Sequence, residues 1–232
     1  MRRPALTAAS PPPTDQQRRA VLRNALGIGI AVGAYGLSFG AAGITAGLST
    51  LQTCVLSLLL FTGASQFALV GVLGAGGSAV AAVASALLLG TRNTLYAVRL
   101  SSLLPQTGPR RLLAAQLTID ESTGMATAAP RGLAATGFWA TGASVYVLWN
   151  LATLVGAVGA ARLGDPGVLG LDAAVPAAFL ALLWPQLRDR GLMGVAVTGG
   201  LIALAAVPFA PAGVPVLLAG LAVVPLVIGR SR

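Results

Sequence analysis

Residues 24–50 (NALGIGIAVGAYGLSFGAAGITAGLST) run into residues 51–72 (LQTCVLSLLLFTGASQFALVGV), and residues 79–91 (AVAAVASALLLGT) follow, all without a charged side chain. One helical span of a bilayer takes about 20 apolar residues. The stretch is therefore long enough for about three. Small and polar clusters at Ala46-Gly47-Leu48-Ser49-Thr50 and Gly74-Ala75-Gly76-Gly77-Ser78 divide it into spans at 24–43, 51–72 and 79–98.

The rest of the chain has the same character. Of its 232 residues 56% are hydrophobic and 9% charged, and mean hydropathy is +0.83. An average soluble domain carries about 25% charged residues. A globule of this size needs a polar shell that so few charges cannot form, which excludes a soluble enzyme, a nucleic-acid module and a disordered chain. The composition predicts an all-helical, polytopic integral membrane protein. Its single transmembrane domain covers 24–229, between a disordered arm at 1–23 and a tail at 230–232. Further spans fall at 133–157, 169–187, 191–209 and 213–229. With the ambiguous stretch 112–129, the count is seven or eight hydrophobic segments.

The net charge is +9 and every basic residue is arginine. The arginines sit mostly at the ends of apolar runs, where they orient a chain in the bilayer, cytoplasmic loops being the basic ones. The charge thus points to a lipid bilayer and to no nucleic-acid partner. One cysteine, Cys54, and no histidine exclude a disulfide framework, a Cys-based metal site and the commonest proton shuttle. No metal or cofactor is expected. No Gly-Lys-Ser/Thr nucleotide loop exists, and no nucleophile, base and orienter can be assembled, so the chain does not read as an enzyme.

Orientation bears on the count. With eight spans, the N-terminal arm, Arg131, Arg188-Asp189-Arg190 and Arg230/Arg232 all face the cytoplasm, and Arg110 and Arg111 face outward. With seven, the termini lie on opposite sides. Eight spans with a cytoplasmic N-terminus is the preferred reading, and a re-entrant 112–129 the alternative, since irregular backbone at membrane depth occurs where it lines a cavity. Thr62-Gly63-Ala64-Ser65 and Thr141-Gly142-Ala143-Ser144 form a short internal echo of the kind inverted repeats leave.

Polar residues within apolar runs are costly and mark candidate sites. Gly63, Ala64 and Ser65 let a helix open or pack closely, and Gln66 offers donors and an acceptor for a zwitterion. Arg92 lies deep in LLLGTRNTLYAVRL. Arg92, Tyr96 and Arg99 share a helical face, and a guanidinium there suits a substrate carboxylate. Asn93 is beside it. Asp120 and Glu121 occupy the centre of an otherwise apolar segment. Their flanks enter the membrane only if the charge is compensated, by protonation, by Arg92 or by a water-filled cavity. That makes them an ion pair or the carriers of a proton-linked step, with Asp120 the preferred arginine partner. Trp139, Tyr146 and Trp149 form a stripe read as packing, and Trp184-Pro185 with the basic residues after it reads as an interfacial helix end.

These segments, in this order, resemble the AzlC family, the large subunit of the branched-chain amino-acid exporters of the BrnF or LIV-E type. AYGLSFG (34–40) and AGLS (46–49) look like its first span and turn, and FTGASQF (61–67) like its most distinctive segment. RNTLY (92–96) is similar to its Arg-His-Leu-Leu-Tyr motif, IDE (119–121) to its Thr-Asp-Glu, and AFLALLWPQLR (178–188) to its late signature. Gly90, Asn93 and Ile119 depart from the family's Asn, His and Thr. The Asn93 change removes a titratable group.

The resemblance implies a two-component secondary exporter of hydrophobic amino acids in the bacterial cytoplasmic membrane, driven by the proton-motive force. It also implies a small four-span membrane partner of the AzlD or BrnE type. At least one of 51–72, 79–98 and 112–129 is then expected to be broken mid-membrane. The competing reading is a membrane scaffold or regulatory subunit whose buried Arg and acids only fix helix packing.

Overall fold

The computed structural model describes residues 12–163 and 174–225. Those residues form eleven α-helices and two 3-10 helices, with no strand among them. Helices α1 (Asp15–Gly33) and α2 (Tyr35–Thr45) run almost without interruption over 31 residues, and α8 (Ala134–Leu163) over 30. Both are long and apolar enough to cross a membrane.

Helix α1 begins inside the stretch read as a disordered arm. Thr14 and Gln17 form a capping box that satisfies its first N–H groups. Residues 15–23 are therefore helical rather than disordered. Arg2, Arg3 and the 230–232 tail lie outside the described residues.

Helices α1–α2 and α8 lie side by side and parallel, Gly29 against Ser144, Gly33 against Leu148 and Gly40 against Thr153. The glycines recur every three or four residues on one face, so the backbones come close enough that Ser144 Oγ donates to the Ala25 carbonyl at 2.9 Å. A Cβ at Gly40 would run into the Thr153 carbonyl, and one at Gly156 into that of Leu37.

This pair defines two ends. Pro13 meets Gly132 at one, the arginine end. At the other are three turns whose glycines have positive φ: Gly47, Gly76 and Gly213. Gly74 approaches Ala46 there, Gly77 approaches the Ala212 carbonyl, and Gly213 approaches Val72 and Ala81.

The segment 51–72 does not cross between these ends. Helix α3 (Thr50–Leu59) starts at the glycine-turn end, where Thr53 meets Gly43. It runs inward until the Leu58 carbonyl accepts from Tyr146 Oη at 3.2 Å. The chain is non-helical over 60–63, and α4 (Ala64–Gly74) returns to the end from which α3 came. Gln66 Nε2 donates back to the Ser57 carbonyl, tying the two arms together.

Helix α5 (Ala79–Ser101) then runs the whole way to the arginine end, where Leu100 and Leu104 pack with Ala126 and Phe138. From that end, α6 (Pro109–Gln116) rises to the centre. The chain breaks over 117–119, and α7 (Asp120–Ala128) returns, with Leu117 against Gly142 and Met125 against Gly137.

The preferred eight-span count is thus corrected. The stretch 112–129 is a hairpin, as the alternative had it, and 51–72 is a second hairpin from the opposite end, while 79–98 is continuous. At 1.5 Å per residue the four half-helices are each about 12–17 Å long, half a hydrocarbon core of about 30 Å. A folded-back pair has the length and hydropathy of one span, which is why counting could not separate them. The hairpins also bring Arg110 and Arg111 to the arginine end. Among the described arginines, Arg162 alone stands at the other end, and Arg92 lies in the middle.

Helix α9 (Ala174–Leu183) packs Phe179 on Phe67 and continues as a 3-10 helix, Trp184–Arg188. Helix α10 (Arg190–Ala206) rises about 25 Å to the Gly213 turn. Helix α11 (Val214–Ala219) and the 3-10 helix Gly220–Val223 turn back, Gly220 meeting Leu88. The Thr141–Ser144 echo lies within unbroken α8, whereas Thr62–Ser65 straddles a break. The echo is not a structural repeat. The inverted relation is between the two hairpins.

Candidate functional site

The hairpin tips meet at the centre of the bundle. Gly63 has φ 64° and ψ −91°, a conformation that side chains other than glycine's rarely adopt, and this sharp turn lets α4 start straight after the break. At the other tip Ile119 is extended, and α7 starts at Asp120. The two turns share a cap. Gln66 Oε1 accepts from the Gly63 N–H at 3.1 Å, and Ser122 Oγ from the Ile119 N–H at 3.1 Å, in each case from the third residue of the following helix. The N-termini of α4 and α7 thus face the junction, each bringing partial positive charge.

Arg92, projecting from α5, joins the tips. One terminal nitrogen donates to the Thr62 carbonyl at 3.2 Å, and the other meets Asp120 Oδ2 at 2.9 Å. Both side chains keep about a third of their surface, 34% for Arg92 and 37% for Asp120. The pair is therefore neither sealed in packing nor free in solvent. Gln116 adds a second link, its Nε2 donating to the Leu58 carbonyl at 2.9 Å. With Tyr146 and Gln116, the carbonyls that α3 loses at its end regain partners.

Beside this junction is a cavity of about 90 Å³. Thr62, Gly63, Ala64, Arg92, Asp120 and Glu121 line its polar side, and Val32, Tyr35, Phe61, Phe67, Ile119, Val145 and Trp149 its apolar side. Space for one water takes about 10–15 Å³ by the same kind of measure, so the cavity admits several waters or the polar head of a small molecule.

Of the residues singled out in the sequence, Gly63, Ala64, Arg92, Asp120 and Glu121 converge on this cavity. Ser65 and Gln66 are fully buried behind it. Gln66 uses its amide oxygen on Gly63 and its amide nitrogen on Ser57, so it braces the hairpin. Asn93 and Tyr96 are half-buried and outside the lining, Tyr96 standing next to the Asp120 carboxylate. Arg92 was read as a carboxylate receptor, but its terminal nitrogens already hold Thr62 and Asp120. In the polar wall Thr62 Oγ1, Arg92 Nε and Asp120 Oδ1 are buried without a hydrogen-bond partner among the described residues, beside Glu121 and the backbone at the start of α4.

Sequence reasoning missed Gln116, Phe67 and the contribution of the α8 stripe. Tyr146 bonds the first tip and packs its ring on Phe61 at 4.9 Å between centroids. Trp149 lines the cavity with its indole N–H buried and unpartnered among the described residues. Regular spacing of Trp139, Tyr146 and Trp149 showed a face, but what that face meets comes from residues nearly ninety positions away.

Among known families, the model described as AzlC protein matches residues 27–163, which contain α2 to α8, both hairpins and the Arg92–Asp120 pair. No curated protein and no solved structure matches the chain. The chain belongs to the AzlC family, which is linked to amino-acid transport.

Proposed function

We propose that this AzlC family member is the large subunit of a two-component secondary exporter of hydrophobic, branched-chain amino acids. The observation that carries the reading is the meeting of two half-length helical hairpins, entering from opposite ends, at an Arg–Asp pair beside a cavity. Broken helices at mid-depth are how transporters expose backbone groups and helix termini to a substrate. A fold that only had to hold together would gain nothing from two breaks and a void.

The amino acid's carboxylate sits toward the N-terminus of α4 and its ammonium toward Glu121 and Asp120. Arg92 acts as the strap between the tips. The protein is a multi-pass protein of the bacterial cytoplasmic membrane, with its arginine end and N-terminus cytoplasmic, in keeping with the one-sided arginines. A small four-span membrane subunit is its partner, the proton-motive force drives it, and Asp120 and Glu121 carry the coupling proton. It performs no covalent chemistry.

The scaffold reading draws on one observation, the engagement of Arg92 with both tips. Efflux separates the two. Dipeptide-loaded cells expressing the chain together with a small four-span partner should export valine, leucine and isoleucine, and cells with either subunit alone should not. Export equal to that of empty cells under every combination would leave the scaffold reading standing.

A further inference from the structure

A second cavity, of about 690 Å³, lies behind α4 toward the glycine-turn end, between α4, α5, α9 and the 207–216 turn. Every residue lining it is apolar or glycine, among them Gly71, Val72, Leu89, Phe179 and Val216. Phe67 is common to this chamber and to the central cavity. Its ring is 1% exposed and makes edge contacts with Phe39 at 5.7 Å, Trp149 at 6.2 Å and Phe179 at 6.3 Å. A single aromatic side chain on a short hairpin arm thus stands between the small cavity that holds the Arg92–Asp120 pair and a larger one with no charged or polar side chain in its lining.

The two volumes divide an apolar amino acid between them. Sites that enclose a whole small ligand measure about 300–1,000 Å³. The central cavity is well below that range and suits only the charged head. The chamber falls within it, and no charged or polar side chain lines it. A hydrocarbon side chain attached to a head held at the tips reaches the chamber only by displacing Phe67.

We propose that the chamber is the side-chain subsite of the transported amino acid and that Phe67 is the partition whose size sets which side chains are accepted. This rests on the export reading above and adds to it the residue that decides specificity. Bulk added or removed in an apolar pocket changes discrimination by about 10- to 200-fold per methylene-sized difference. Phe67→Ala should therefore raise phenylalanine efflux relative to valine by about tenfold or more, and Phe67→Trp should lower it. Phe67→Leu keeps an apolar filler and should fall between wild type and Phe67→Ala.

The second readout needs no transport. In the solubilised full chain carrying Cys54→Ala and Ala75→Cys, an uncharged maleimide labels a chamber wall. Leucine and phenylalanine should slow that labelling, and glycine should not. If the wild type exports amino acids but the phenylalanine-to-valine ratio is the same in all three Phe67 variants, the partition is overturned. Labelling slowed by added phospholipid or by the small subunit, and by no amino acid, assigns the chamber to an acyl chain or a partner helix and overturns the subsite. If the wild type exports nothing, the export reading fails by itself, and protection by leucine still decides whether the chamber binds a hydrocarbon side chain.

Discussion

The α3–α4 hairpin brings Leu60, Phe61, Thr62 and Gly63 to the centre. The α6–α7 hairpin brings Leu117, Thr118 and Ile119, followed at once by Asp120 and Glu121. The plan is shared: two half-helices, a three- or four-residue break, and a cap supplied from the third position of the second helix. The chemistry is opposite. The first tip presents a carbonyl, a glycine turn and uncharged helix-start N–H groups. The second places two acids in the first turn of a helix, where the dipole favours them. Arg92 touches both, taking a carbonyl from one and a carboxylate from the other. One frame thus makes two unlike walls, which suits a ligand that is itself an anion at one end and a cation at the other.

The comparison breaks most completely at Arg92. In Arg92→Ala the tips lose their common partner, and efflux should fall to the level of empty cells while the protein remains at normal abundance in the membrane fraction. Arg92→Lys should restore only a small part, because a single ammonium cannot span two acceptors as a planar guanidinium does. Wild-type efflux from the alanine variant would remove Arg92 from the mechanism.

Neutralising the acidic wall should cost less. Asp120→Asn leaves the guanidinium its Thr62 contact, and efflux should drop on the order of tenfold, equivalent to about 1.4 kcal/mol. Efflux measured against external pH in Asp120→Asn and Glu121→Gln then tests coupling. At least one profile should be flatter than wild type, and two unchanged profiles would make both acids structural.

The bare wall is sensitive to shape instead. Gly63→Ala meets no atom within 4 Å of the new Cβ, so its cost is conformational, about 1–3 kcal/mol, seen as a lower melting temperature in detergent. The second tip has no residue of positive φ, and Thr118→Ala there should cost less than Gly63→Ala. Equal losses would mean that the tips are shaped alike. The smallest contrast concerns the caps. Ser122→Ala should cost about 0.5–1 kcal/mol, as loss of one cap does. Gln66→Leu should cost about the same, since each side chain also binds one carbonyl, Gln66 that of Ser57 and Ser122 that of Leu117 at 2.6 Å.

Much of the site was legible from residue type alone. Arg92, Asp120, Glu121 and the Thr62–Ala64 turn stood out because a bilayer tolerates such residues only for a reason, and they do converge. The pairing of Arg92 with Asp120 followed from charge. Hydropathy misled at 51–72 and 112–129, because it measures how much apolar chain there is and not which way the chain runs. The clue was present in Arg110 and Arg111, whose outward placement in the eight-span count was the mark of a segment that turns back. That Gln66 braces the first hairpin was not legible, since an amide's partners depend on a fold its type does not reveal. Phe67, Gln116 and Trp149 act through neighbours distant in sequence, and no local pattern announces that.

The half-helices also constrain biosynthesis. Each has eight to eleven residues, too few to be held in a bilayer by themselves, and the first tip exposes the Leu58 and Thr62 carbonyls, which Gln116 of the opposite tip, Arg92 of α5 and Tyr146 of α8 satisfy. As the ribosome releases the chain, α1–α2 can settle at once. The first hairpin then waits in an unfinished state until Arg92 and Tyr146 have been made. Assembly of the centre is therefore a late, concerted event that needs the chain out to about α8, and a nascent chain truncated before α8 should be a substrate for membrane quality control rather than a folding intermediate.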